Sequence, residues 1–292
     1  MKVCAACCIE LPREKFSNKQ WNMKQYQRRC IECIDAGRDC ILLDKLHDNK
    51  LFKRPPQEED CPICFLQLPS LETGKRYMSC CGKIICSGCI HAGATTGDDL
   101  LCPFCRSPPP ILANNTYEEV IKRLNKRAEV GDAHAMFNLG SHYNEGRHGL
   151  PQDREKALEL WHRAGELGNA LAYYNIGQAY LYGRVVESNE KKAKHYWELS
   201  AMGGAVEARH NLGCSDGCAG NEERALKHFM IAMEGGDHDS VKMIQQMYKN
   251  GRATKDDYAE ALKTYQAYLS EIKSDDRDKA SAFDDKQYKY YE

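Results

Sequence analysis

The chain has 292 residues, enough for two or three domains, and a formal net charge of −1 with 28% charged residues. Such balance offers no whole-protein field to draw it to nucleic acid or to an anionic membrane. Its apolar runs last only a few residues, far short of the roughly 20 that span a bilayer, and Met1–Pro12 has no apolar core of the signal-peptide kind, so a soluble cytoplasmic or nuclear protein is expected.

Cysteine usage divides the molecule: fourteen of sixteen lie before residue 106. A small secreted domain could carry that density as disulfides. Without a secretory leader, and with thiols repeatedly spaced two residues apart, zinc is the better account. Each metal would then supply about 10 kcal/mol of folding free energy, and the N-terminal third is expected to need it.

In chain order, residues 1–40 come first. Cys4-x2-Cys7 and Cys30-x2-Cys33 could form one four-thiolate site. Between and beside them lie Phe16, Ser17, Gln20, Trp21 and Arg28-Arg29-Cys30. On those residues this stretch resembles the zinc finger of Stc-type adaptors, which link RNA silencing to chromatin modifiers. Lys15, Lys19, Lys24, Arg28 and Arg29 interleave with Phe16, Trp21 and Tyr26, a mixture that could suit phosphates and stacked bases. The favoured account is plainer: the aromatics fill a small core and the cations keep it soluble. Cys8 and Cys40 have no partner at ligand spacing. Residues 41–60 run from a weak apolar–basic helix into Lys53-Arg-Pro-Pro-Gln-Glu-Glu-Asp60, a linker.

Residues 61–106 hold Cys61-x2-Cys64, Cys80-Cys81, Cys86-x2-Cys89 and Cys102-x2-Cys105, eight thiolates and thus enough for two closed zinc sites. With Pro62-Ile63 inside the first pair and Pro103-Phe104 inside the last, the segment resembles an all-cysteine RING finger. That resemblance implies a cross-brace: Cys61, Cys64, Cys86 and Cys89 on one zinc; Cys80, Cys81, Cys102 and Cys105 on the other. It departs at Lys83, where many RINGs have a histidine ligand; two adjacent cysteines replace it, with His91 as a reserve ligand. The resemblance also implies that Ile63, Leu101, Pro103 and Phe104 meet a ubiquitin-conjugating enzyme. Arg106 would be the linchpin bridging that enzyme and ubiquitin, a task suited to a planar guanidinium.

After Ser107-Pro-Pro-Pro110, residues 111–280 repeat themselves. Gly131-Asp-Ala-His-Ala135-x3-Leu139-Gly140 returns from Gly168 and again from Gly204, in steps of 37 and 36 residues. Ala157, Ala193, Ala225 and Ala261 open the second helix of each pair, and a fourth, degenerate copy follows Gly236. Between Ala193 and Ala225 the step shrinks to 32 residues because the loop is short. Apolar residues four apart on each helix predict pairs that stack into a solenoid, and the pattern resembles the Sel-one-like repeats, relatives of the tetratricopeptide fold. Thr116-x2-Glu119 opens a lead-in helix and Thr254-x2-Asp257 the last long one. Ser274–Glu292 is polar and expected to fray, residues 281–292 being a tail. His134, His142, His148, His162, His195 and His210 show no metal spacing or paired nucleophile, and Cys214 and Cys218 have no evident ligand partners.

The expectation is a mostly α protein: small cross-braced zinc domains, then an α-solenoid, holding three zinc ions, one in the first finger and two in the RING. As a function, it implies a RING-type ubiquitin ligase whose repeats bind substrate or adaptor. The alternative is a non-catalytic zinc-dependent scaffold, chromatin- or silencing-related through the first finger.

Overall fold

The computed structural model describes residues 2–3, 10–22, 31, 47–54, 56, 59–95, 101–108 and 116–291. Cys4, Cys7, Cys30 and Cys33, the expected ligands of the first finger, lie outside the described residues. The chain divides into two units, Met1–Lys53 and Arg54–Glu292.

In the first unit, β1 (Lys2–Val3) pairs antiparallel with β2 (Glu10–Leu11), followed by the short α1 (Asn18–Asn22). Phe16 is buried against Trp21, ring centroids 5.7 Å apart. Arg13 lies over the Trp21 ring at 5.3 Å. Both contacts agree with aromatics used for packing.

The second unit begins with a cysteine-rich module. An antiparallel hairpin, β3 (Lys75–Met78) and β4 (Lys83–Cys86), leads into α2 (Ser87–Thr95). Then α3 (Thr116–Glu129) takes the lead-in position before four helix pairs. These are α4 (Ala133–Glu145) with α5 (Arg154–Glu166), α6 (Ala170–Tyr182) with α7 (Glu190–Met202), α8 (Val206–Cys218) with α9 (Glu222–Glu234), and α10 (His238–Lys249) with α11 (Lys255–Ile272).

The repeated residues have repeated jobs. Asp132 and Asn169 cap α4 and α6 by accepting from Ala135 and Ala172 N–H, as N-cap carboxylates and amides do. Asp257 closes a capping box with Thr254 at the head of α11. Gly131, Gly168, Gly204 and Gly236 turn the chain between pairs with φ of 86–103°, a region where a Cβ is costly. Within each pair a helical glycine makes room for an aromatic ring: Gly140 for Trp161, Gly177 for Trp197, Gly213 for Phe229.

The third pair is the variant one. Three residues beyond those glycines stand Tyr143, Tyr180 and Asp216. The first two carry lysines over their rings, Lys156 at 4.2 Å and Lys192 at 5.0 Å. Asp216, fully buried, instead accepts from Lys194 at 2.7 Å and from Arg224 at 3.2 Å. Arg224 occupies the place of Lys156 and Lys192, so a cation–π contact has become an ion pair.

The tail does not fray as expected. It forms α12 (Asp275–Phe283) and α13 (Asp285–Tyr288), with Arg277, Ala280 and Tyr290 buried. The reason is the cysteine-rich module, which receives it. A Cβ on Gly88 would come within 2.8 Å of the Arg277 backbone, and one on Gly74 within 2.9 Å of Tyr290 Cβ. Thr73 Oγ1 donates to Lys289 O at 2.6 Å, and Ser70 N–H to Tyr268 Oη at 3.0 Å. At the other end of the repeats, Tyr77 Oη donates to Asp132 and Arg127 Nε to Ser79 O at 3.1 Å. The module is therefore braced against both the first and the last helix pairs.

Candidate metal centre

Two turns of near-identical construction present the outer cysteine pairs. Phe65 N–H donates to Cys61 O and Cys61 N–H to Leu66 O, both at 2.9 Å; Arg106 N–H donates to Cys102 O and Cys102 N–H to Ser107 O, also at 2.9 Å. The residue closing each turn is left-handed without being glycine, Phe65 at φ 57° and Arg106 at φ 59°. Such backbone costs on the order of 1–2 kcal/mol per residue and persists where the surroundings dictate it. The hairpin supplies the middle pairs, Cys80 and Cys81 from its turn and Cys86 from β4, while α2 supplies Cys89.

These elements gather the sulfurs into two groups, Cys61, Cys64, Cys86 and Cys89, and Cys80, Cys81, Cys102 and Cys105. First and third pairs meet, as do second and fourth. Within the groups, from one pair to the other, Cys61–Cys89 is 3.9 Å, Cys64–Cys86 3.8 Å, Cys81–Cys102 3.9 Å and Cys80–Cys105 3.5 Å. A tetrahedron with Zn–S of about 2.3 Å has sulfur–sulfur edges of about 3.8 Å, so both groups fit a zinc ion.

The electrostatics agree. Hydrogen bonds among neighbouring sulfurs push the Cys89 thiol up and pull Cys61 down, while burial pushes Cys80 and Cys81 up. Four thiolates so close resist ionising together, and a divalent cation removes that resistance. Arg277 helps: Cys86 is raised by its bond to Cys61, but the buried guanidinium beside it favours the thiolate. No local sequence signal could reveal that partner, which comes from the far end of the chain.

The other expected residues are placed as follows. Ile63 and Pro103 are half-buried, Ile63 against the core that includes Leu68, Ile85 and the buried cysteines, and Pro103 beside Gly93 of α2. Leu101 is half-buried, and Arg106 and Phe104 are exposed. Lys83 lies 5.9 Å from the centre of the Phe104 ring, a contact in place of ligation. His91 is in neither sulfur group; it packs between Phe283 and Tyr288, centroids 5.1 and 5.7 Å away. Phe65, 77% exposed at the turn, was not singled out by the motif.

Between the hairpin and the first helices of the repeats lies a cleft of about 820 Å³, with Lys75, Arg76 and Tyr77 on one wall and Asn138, Tyr174 and Glu207 on the other. Several of the scattered histidines pack on aromatic rings: His134 stacks on Tyr77, while His162 and His195 meet Tyr196 edge-on. Burial pulls His142, beside His148, down to about 4. His210 departs from the expectation: its ring lies between Cys214 and Asp237.

The Sel1 repeat family model matches residues 133–169 and 170–204, the first two helix pairs. Among curated proteins, the E3 ubiquitin-protein ligase GW2 of Oryza sativa subsp. indica is 44% identical over 52 residues, 17% of this chain and 11% of that one. The E3 ubiquitin-protein ligase DA2 of Arabidopsis thaliana is 40% identical over 99 residues, 33% and 21%. The chain thus spans about a tenth to a fifth of the length of these relatives. A Sel1 repeat protein from Oxalobacter formigenes is 27% identical with a TM-score of 0.47, covering 52% of this chain and 64% of that structure. No helix among the described residues is long and apolar enough to cross a membrane. This is a mostly helical chain with Sel1 repeats and, beside them, two four-cysteine clusters able to hold metal.

Proposed function

We propose that the protein is a RING-type ubiquitin ligase, with a first finger at 1–40, a linker at 41–60, a RING at 61–106, a substrate- or adaptor-binding solenoid at 111–280 and a tail at 281–292. The observation that carries this reading is the alternating union of cysteine pairs, first with third and second with fourth. A single zinc finger needs no such interleaving; two loops held side by side do. Likeness to proteins named as ubiquitin ligases supports it.

Zinc at both clusters would hold the two left-handed turns in place without taking part in chemistry. Ile63, Leu101, Pro103 and Phe104 would offer the apolar contacts to a ubiquitin-conjugating enzyme. Arg106, directly after the last ligand, would donate to both that enzyme and ubiquitin. The gain is positional: restraining a mobile thioester near a lysine can be worth several kcal/mol. A target held on the repeats would stand at a fixed distance from that site, because the module is braced at both ends of the solenoid.

Arg106→Ala should abolish ubiquitin-chain formation in a purified assay while zinc content stays unchanged. Full activity of that variant removes the linchpin role. The second reading, a non-catalytic scaffold, draws on Lys83, which stands where many RINGs have a histidine ligand and lies instead 5.9 Å from the centre of the Phe104 ring. Autoubiquitination across a panel of conjugating enzymes separates the two: a scaffold yields none.

A further inference from the structure

Helix α8 places His210, Cys214 and Cys218 four residues apart, along one face. Cys214 Sγ is 3.5 Å from His210 Nε2. The other ring nitrogen, Nδ1, is 3.0 Å from Asp237 Oδ2 and 3.0 Å from Ser240 Oγ. Asp237 is itself fixed at the start of α10, where it accepts from Ser240 N–H at 2.8 Å. Each imidazole nitrogen thus faces a different partner, so thiol, base and carboxylate form a line rather than a chelate. The sulfur clusters, whose ligand atoms converge, are built differently.

Neither of the first two helix pairs has these residues at the matching places. At the place of His210 the first two pairs have Phe137 and Tyr174, and at the place of Cys214 they have Ser141 and Gln178. The thiol is half-buried against the apolar core of the last two pairs, while Cys218, one turn on, is exposed. A nucleophile bonded to a base, which a third group orients, is the arrangement that activates cysteine.

We propose that Cys214 is a modification site, a thiolate paired with the His210 imidazolium that small hydroperoxides oxidise to a sulfenic acid. The sulfur attacks one peroxide oxygen, an S–O bond forms and the O–O bond breaks. Sulfur loses two electrons and the peroxide gains them. With hydrogen peroxide the departing hydroxide takes the proton from His210 Nε2 and leaves as water; the alkoxide of an alkyl hydroperoxide takes the same proton and leaves as the alcohol. Asp237 stabilises the imidazolium until that proton leaves and, with Cys214, holds His210 up at about 10. Glu207, on the first turn of α8, is a second carboxyl close enough to feel the charge of Asp237. At neutral pH an ordinary thiol is about 3% ionised. A thiol bonded to an oriented base is expected to react on the order of tenfold faster than such a thiol.

The test treats the zinc-loaded full chain with limiting hydrogen peroxide and dimedone, and reads the peptides carrying Cys214 and Cys218 by mass spectrometry. Cys214 should be labelled on the order of tenfold faster than the more exposed Cys218. His210→Gln should bring it down to the Cys218 rate. Asp237→Asn, which keeps an N-cap, should slow it to an intermediate rate and guards against a folding defect in the first variant. Equal labelling of the two cysteines, or a Cys214 rate unmoved by both variants, overturns the proposal.

Discussion

Tyr77, on the hairpin of the cysteine-rich module, donates its hydroxyl to Asp132 Oδ2 at 2.7 Å, and Asp132 is the N-cap of the first repeat helix. Arg127 reaches the same carboxylate oxygen at 3.1 Å while also donating to Ser79 O. One side chain thus caps a helix, accepts a phenol and pairs with a guanidinium. Tyr77→Phe removes one donor from a half-buried, charge-assisted network and should cost about 1–2 kcal/mol. A chemical-denaturation midpoint reads it. In the Asp132→Asn background, which keeps the cap, the same substitution should cost less; equal costs in the two backgrounds would mean that the bond contributes nothing across this junction.

Metal removal should reach beyond the module. Besides its cysteines, the core there contains Leu68 and Ile85, whose burial is worth about 3–6 kcal/mol together. Each metal contributes about 10 kcal/mol, so the ion dominates. With the metal chelated, β4 and α2 lose their anchor, and α12 loses the surface on which Arg277 and Gly88 meet. Hydrogen exchange should then speed up over 59–108 and over 274–291, while α4 to α7 keep their protection. A tail still protected in the chelated protein would show that it docks independently of the sulfur clusters.

Much of this was legible in the residue pattern. Repeating glycines, alanines and apolar positions gave the helix pairs because each position is reused under the same steric demand, as Gly140 and Gly177 are for Trp161 and Trp197. The spacing of the thiols called for two four-thiolate sites, and only the resemblance to a RING finger implied which pairs share a site. What could not be read is what the chain brings together over long distances. Arg277 gives no sign in its own segment that it will sit beside Cys86. Neither do Thr73 and Lys289, whose bond turns a polar tail into a docked one. His210, Cys214 and Asp237 were similarly opaque, since Asp237 belongs to the next pair and looks there like an ordinary cap.

The glycine–aromatic fit predicts a sign that helix propensity alone gets wrong. Gly177→Ala gains about 1 kcal/mol from propensity. Yet the new Cβ would stand 2.5 Å from both Cδ1 and Nε1 of Trp197, which is buried. Overpacking a core costs about 1–3 kcal/mol, so the variant should be less stable by up to about 2 kcal/mol. In a Trp197→Leu background the clash is gone and the same change should stabilise. Thermal melts of the four proteins in this cycle decide it; no difference between backgrounds would mean that ring and glycine do not compete for space.

His210 makes stability depend on pH. Its folded value is raised to about 10, through the Asp237 carboxylate first and Cys214 second, above the ordinary value of about 6.5. A group raised on folding binds more protons in the native state, so its contribution is fully present below about pH 6.5 and drains away as pH climbs through about 10. Asp237 is held below its ordinary range despite burial, because His210 and Ser240 hydrogen-bond it; its contribution is present above about pH 4 and lost on acidification. The pair therefore stabilises most between about pH 4 and 6.5. With the His210 side chain 22% exposed and that of Asp237 18%, solvent screening leaves about 1–2 kcal/mol. His210→Gln should flatten the profile above pH 6.5, so that native and variant denaturation midpoints converge near pH 10. A gap between them that stays constant from pH 6 to 10 would show that the ring contributes by packing on Phe229, 5.6 Å away, and not by its charge.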